Sequence, residues 1–476
     1  MDRRDFDVAI IGAGAVGIGA VEALIKSGYS VVLIDRGDFA SGTSSRSSRV
    51  MNCGLQYLAP NNSTMGQMLK QPRVLATGLR QARAFMRARS GFVREFPDRS
   101  RTATSCYPIW RGDRYAGWQV DLAFAALRMV DVGGAPLNYR RVPADRAKKI
   151  PLVKWLRDAE KLHAVATYTE VLMDWPERVL VDSVLSSEAR GATVLNHTII
   201  EAVTPQGDGS WTLRVRRDET VDELHARLLV NAAGPWIDEV LARTPVTAPR
   251  KIAASKGTHI MVRLPPECAQ FGIVTLNRKG QPYTILPLRG LHCLGPTWDP
   301  YSGGPDDAVP LESEIAALLD EARYILPGLS LARQDVAFAW SGLRPYAFHP
   351  DFPQGKRGLE FHDMAEAGLP NMLAVTGSPL GTYRVTGAAV AAQVATRLAP
   401  SSRGTAAQSA PLEHARTLVD LLFRRTGEGW DERLGLDVAE AAARRAALTL
   451  GWDEAGIQAE FAAYRAHVAR QHLVGA

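Results

Sequence analysis

Cysteine is scarce in this chain of 476 residues: there are four, Cys53, Cys106, Cys268 and Cys293, and no two form a CxxC pair. That excludes a disulfide framework and a thiolate zinc site, so no metal is expected, and the cytoplasm is the default compartment. Long apolar runs are missing as well. The stretch from Val8 to Ile25, preceded by Arg3 and Arg4, is interrupted by glycines and by Glu22, which argues against a signal peptide or a membrane span. Peripheral contact with a membrane is left open. Blocks of like charge are absent too: 56 Lys and Arg stand against 50 Asp and Glu, a formal +6, and the basic residues are dispersed. Without a basic stripe interleaved with aromatics, nucleic acid is not an expected partner. No internal repeat is found.

What is present is an ordinary globular balance, 46% hydrophobic and 22% charged, in a chain long enough for roughly three structural units. The apolar run Phe6 to Ile11 reads as a buried parallel strand and leads directly into Gly12-Ala13-Gly14-Ala15-Val16-Gly17. In this GxGxxG arrangement Gly12 permits a tight turn, Gly14 lets the backbone approach a pyrophosphate, and Gly17 lets the following helix pack on the sheet. The helix Val16 to Lys26 ends at Gly28, and a second strand, Ser30 to Ile34, ends at Asp35, where a carboxylate holds a ribose hydroxyl. These residues predict a dinucleotide site and leave NAD and FAD as alternatives.

After Asp35 comes Arg36, then a hydroxyl-rich loop, Ser41-Gly42-Thr43-Ser44-Ser45-Arg46-Ser47-Ser48, suited to a diphosphate and a ribityl chain. With this loop the sequence resembles the FAD-dependent glycerol-3-phosphate dehydrogenase family, within the wider superfamily of D-amino-acid and glycine oxidases. The resemblance continues through Val230 to Trp236, Lys256 to Ile260, Ser341 to Pro345, Thr382 to Arg384, and a tail containing Phe423 to Gly427 and Leu450 to Asp453. It implies FAD as cofactor, held by Gly12, Gly14, Gly17, Asp35, Arg36, Thr43, Ser44, Ser48, Ile200, Ala233, Gly234, Trp236, Gly377, Leu380, Gly381 and Thr382.

The fold this implies is α/β: a Rossmann-like FAD domain, a substrate domain built on an antiparallel sheet, and a C-terminal helical cap. The expected FAD domain is discontinuous, residues 1–90, 168–245 and 370–400. The substrate domain takes 91–167 and 246–369, with short strands at Gly257 to Arg263, Tyr283 to Leu288 and His292 to Thr297. Residues 401–476 form the cap. Ala399 to Pro411 reads as a linker, and Asp437 to Leu450 and Asp453 to Val468 as helices, each with an Asp suited to the N-cap. The arginines of the tail are expected to cover a solvated face.

The expected chemistry is hydride transfer from a secondary alcohol, a polyol, sugar or hydroxy acid, to the flavin, with oxygen, a quinone or a carrier protein as electron acceptor. The alternatives are amine or amino-acid oxidation and, behind both, a flavin protein without catalysis. Where the family reads His-Gly-Gly-Leu-Arg-Tyr-Leu, this chain reads Asn52-Cys53-Gly54-Leu55-Gln56-Tyr57-Leu58. An imidazole and an arginine are replaced by Asn52 and Gln56, and Pro379 takes the place of a lysine. That makes glycerol-3-phosphate a poor candidate substrate, since charge-assisted bonds position a phosphate. Asn52, Gln56, Tyr57, Arg344 and Arg357 are the expected substrate-facing residues, Arg344 pairing with an anionic group. His259, His292 and His349 are the candidates for a replacement base, His259 first, and for each the alternative is a structural histidine satisfied in the core. Cys53 is close enough in sequence to reach a flavin. A homodimer is left open.

Overall fold

The computed structural model describes residues 5–58, 72–131, 134–401 and 410–472. Most of the linker expected between Ala399 and Pro411 lies outside them.

The first apolar run forms the strand Asp5–Ile11, with all but Asp5 buried. It is flanked in parallel by Val31–Ile34 on one side and Thr220–Asn231 on the other. Thr193–Leu195 and Met372–Thr376 extend the parallel order outwards, and Glu360–Asp363 closes one edge antiparallel. Because the central strand is covered on both faces, its apolar residues do not alternate with polar ones. Val8 and Ile10 pack under the helices Ala15–Lys26, Pro176–Glu188 and Tyr383–Ala395, while Ala9 and Ile11 face Trp211, Leu213 and Val215 of an antiparallel meander. The helices Ala15–Lys26 and Tyr383–Ala395 touch at two glycines: a Cβ on Gly387 would lie 2.0 Å from the Gly19 carbonyl oxygen.

A second, mostly antiparallel sheet has the order 352–356, 336–349, 252–262, 291–295, 282–288, 271–276, 100–110, 162–173, 50–51. Its central strands are buried along almost their whole length, and successive residues point into two different cores. Ile260 and Val262 pack on Ile315, Leu318 and Leu319 of the helix Glu312–Ile325, and Met261, Phe338 and Trp340 pack on the C-terminal segments. The three expected substrate-domain strands lie in this sheet as Ile252–Val262, Pro282–Leu288 and Leu291–Gly295.

The division between the two sheets differs from the expected boundaries. Val50–Met51 and Leu162–Met173 pair within the second sheet, so residues 168–173 lie in that sheet, and Glu360–Asp363 lies in the first. The reason is register: Leu162–Met173 finds its partner in Ser100–Trp110 over eleven residue pairs.

The cap also departs from expectation. Its helices are Ala439–Leu450 and Glu454–His472. Asp453 accepts a bond from the Gly456 amide at 2.8 Å, whereas Asp437 caps nothing and pairs with Arg433 at 3.7 Å. Arg424 and Arg425 are buried rather than solvated. Arg424 Nε lies 2.6 Å from Asp38 Oδ2 and Arg425 donates to both Asp38 oxygens at 2.8 and 2.9 Å. Asp38, Asp420 and His197 cluster closely enough for a metal, but the oxygens of Asp38 are taken by these arginines and by the Asn196 amide. A second buried pair, Arg49 with Glu177 at 2.6 Å, lies against Trp430 of the cap.

Candidate active site

The carboxyl ends of the parallel strands, the usual ligand position in an open α/β sheet, open into one cavity of about 2230 Å³ that reaches the face of the second sheet. Small-molecule sites span roughly 300 to 1,000 Å³, so this space has room for a dinucleotide and a small molecule together.

At one end is the glycine turn. Gly12 has φ +103° and backs onto the Ala232 carbonyl; a Cβ on Gly17 would come within 1.9 Å of the Gly12 oxygen. Gly17 therefore shapes the turn and does not line the cavity. Gly14 does line it, and a Cβ there would meet only Ser44 Oγ, at 3.2 Å. The Asp35 carboxylate accepts from the Ala13 amide at 2.6 Å and the Gly37 amide at 2.8 Å, which fixes it at the cavity wall, although burial pushes its carboxyl upward. Ser44 Oγ accepts from the Ala15 amide at 2.9 Å, and Thr43 Oγ1 donates to the Leu343 carbonyl at 2.8 Å. Ile200, Ala233, Gly234 and Trp236 line the same end, as do Gly377, Leu380, Gly381 and Thr382 farther along. Arg36 crosses Trp236 at 5.0 Å and pairs with Asp306 at 2.5 Å. A phosphate-accessible glycine, a helix N-terminus and a fixed carboxylate are the donor and acceptor set that a flavin dinucleotide requires.

The far end carries the substrate candidates. Arg344 lies in the strand Val336–His349, opposite Ser255. Its NH1 donates to the Lys256 carbonyl at 3.2 Å and its NH2 to the Thr297 carbonyl at 3.1 Å, and the guanidinium lies 4.1 Å from the centre of the Trp298 ring. Gly257 makes this possible, since a Cβ there would stand 2.2 Å from Arg344 NH2. Arg357 is exposed yet directs its guanidinium to the same indole at 4.7 Å. Asn52, Gln56 and Tyr57 line this end too. The Asn52 carbonyl is committed to the Gly54 amide at 3.0 Å, and Tyr57 packs on Phe85 with ring centres 4.9 Å apart.

The histidines separate. His259 lines the cavity, bonds Ser48 Oγ at 2.9 Å and stacks on Trp340. It is 2% exposed, and burial, helped by Arg344 and Arg49, pulls its imidazole down to about 3, so it is a weak proton acceptor. His292 bonds main-chain carbonyls away from the cavity, and His349 is exposed and not part of its lining. Cys53 reaches the wall, but burial pushes its thiol up to about 12.

Motif reading missed Trp298, Arg46 and Glu170. Arg46 lines the cavity, and burial pulls its guanidinium down to about 10. Glu170 is the only acidic residue in the strand Leu162–Met173. A lone acid in such a strand was the available signal.

Comparison with known proteins agrees with this architecture. The family profile described as FAD dependent oxidoreductase matches residues 7–398. A glycerol-3-phosphate dehydrogenase of Synechocystis sp. is 26% identical over 400 residues, 80% of this chain and 68% of that protein. An aerobic glycerol-3-phosphate dehydrogenase of Staphylococcus saprophyticus is 25% identical over 80% of this chain and 65% of its own length. The chain thus spans about two thirds of these relatives. Among solved structures, the glycerol-3-phosphate dehydrogenase of Bacillus halodurans complexed with FAD aligns with TM-score 0.73 at 19% identity, over 99% of this chain and 96% of that one. A Bacillus cereus glycine oxidase aligns at 0.57 and 17% identity, covering 83% and 96%.

Proposed function

Because this chain belongs to the FAD-dependent oxidoreductase family, we propose that it oxidises a secondary hydroxyl on a small substrate bearing one singly charged anionic group, such as a hydroxy acid. One observation carries this reading. Arg344 and Arg357 converge on Trp298 at the wall of the cavity, and neither forms an ion pair among the described residues. A half-buried guanidinium on main-chain carbonyls is short of counter-charge, and a planar anion offers a bidentate partner.

FAD supplies the two-electron acceptor when bound. The chain's own residues position the reaction. Gly12, Gly14, Asp35, Ser44 and the segment from Gly377 to Thr382 hold the cofactor, Arg344 fixes the anionic end, and Tyr57 and Asn52 orient the hydroxyl. Neutral side chains at Asn52, Gln56 and Pro379, where the resemblance places an imidazole, an arginine and a lysine, favour a less highly charged substrate than glycerol-3-phosphate. Oxygen, a quinone or a carrier protein then takes the electrons.

The test is anaerobic bleaching of the bound flavin by a panel of phosphorylated polyols, hydroxy acids, sugars and amines. Hydroxy acids should bleach it fastest, and glycerol-3-phosphate slowly. Bleaching by amines alone would replace this reading with amine oxidation.

A further inference from the structure

We propose that Glu170 accepts the proton of the substrate hydroxyl, in the role left open where the resemblance places an imidazole at position 52. This rests on the alcohol reading. The ladder between Val50–Met51 and Leu162–Met173 pairs Met51 with Val171. Carrying that register one residue further sets Asn52 opposite Glu170, and both side chains line the cavity. Met51 in turn adjoins the segment assigned to the flavin, since a Cβ on Gly381 would lie 3.0 Å from its sulfur. Tyr168, two residues along the strand and so on the same face, lines the cavity too.

Glu170 is 4% exposed, and its Oε1 is buried with no hydrogen-bond partner among the described residues. A carboxylate oxygen without a donor is costly to bury, which suits an atom whose partner arrives with the substrate. Burial pushes its carboxyl up to about 8, against the pull of Arg89 and of donors at Tyr168, Val171 and Cys53. The titratable and charged groups facing it are Arg89 from the helix Pro72–Glu95, Cys53 from the loop, and Tyr168 from its own strand. Of these, Cys53 and Tyr168 hold their protons near neutrality, burial raising each. That leaves the carboxylate as the acceptor. In the step, the hydroxyl O–H bond gives its proton to Glu170, and the adjacent C–H bond gives its hydrogen with the electron pair to FAD. The alcohol becomes a carbonyl, oxidised by two electrons, and the flavin is reduced by the same two.

The experiment compares wild type with Glu170→Gln in two measurements. In stopped-flow bleaching by an anionic alcohol, the wild-type rate should rise with pH through about 8. The variant should be about 100-fold slower and lose that dependence. In thermal unfolding of the flavin-free protein, a glutamic acid whose folded value is raised is stabilising below its unfolded value. That contribution is lost as pH rises through the folded one. Wild type should therefore lose stability between about pH 5 and pH 9 relative to Glu170→Gln. Bleaching by the variant at the wild-type rate, or with the wild-type pH profile, would overturn the assignment even if the stability difference holds. Failure of every alcohol to bleach wild type would overturn the alcohol reading and the proton transfer with it. The stability comparison would then still report whether Glu170 titrates, so the two failures are told apart.

Discussion

Arg344 is held at three main-chain and aromatic contacts before any substrate arrives, so its fork is ordered in advance and little entropy is spent on binding. Arg344→Lys should therefore cost about 2 to 5 kcal/mol in kcat/KM with flavin content unchanged, because a point charge replaces a bidentate partner. Steady-state kinetics beside the ratio of flavin to protein absorbance checks both halves. Gly257→Ala should reproduce the defect without touching the charge, since its methyl occupies the position of Arg344 NH2. Normal KM in that variant would contradict the packing argument. At this scale the motifs were informative where a residue's role is local: Gly12 and Asp35 act on their own neighbours. Trp298 and Glu170 acquire their positions from strand pairings distant in sequence, and no spacing rule registers them. His259 shows the converse, a legible residue whose chemistry is altered by stacking and burial that composition cannot report.

Among elements, the contact of the helices Ala15–Lys26 and Tyr383–Ala395 brings the two ends of the flavin domain together. Their crossing is closed by Gly19 and Gly387, with no space for a methyl on either. Gly387→Ala should destabilise by about 1 to 3 kcal/mol through overpacking, read as a lower urea midpoint. It should also weaken flavin retention, because Gly377 to Thr382 precedes that helix directly. The parallel strands and the βαβ unit were readable because their apolar runs are continuous. The boundary near residue 168 was not, since Leu162–Met173 has the same apolar and hydroxyl character whichever sheet it joins. Cap helices were recognised by periodicity, yet the burial of Arg424 and Arg425 depends on Asp38, nearly four hundred residues earlier.

For the whole molecule, Asp38 is one point where the cap is fastened to the dinucleotide domain, beside the contact of Arg49 with Trp430. Removing its charge leaves Arg424 with Asp420 alone and Arg425 with only the Glu413 carboxylate 3.8 Å away, a change that costs about 3 to 5 kcal/mol in comparable buried pairs. Asp38→Asn should thus expose the cap to limited proteolysis at native temperature, with a lower urea midpoint and with the glycine turn intact. Equal protease resistance in both proteins would show that the apolar contacts around Phe423 and Trp430 suffice to hold it.

The order of strands in the first sheet also bears on how the molecule is made. Asp5–Ile11 lies between Val31–Ile34 and Thr220–Asn231, and the latter lies beside Met372–Thr376. During synthesis the opening strand waits for more than two hundred residues before its second neighbour exists. The sheet is complete only after the substrate domain has been made between its parts. Contacts of such separation close slowly and leave apolar edges uncovered meanwhile. Flavin can be captured only once the last parallel strand and the segment from Gly377 to Thr382 have joined, so loading follows translation. A nascent chain arrested before Met372 should bind no flavin, while the released full-length chain should acquire it, with holdase chaperones raising the yield.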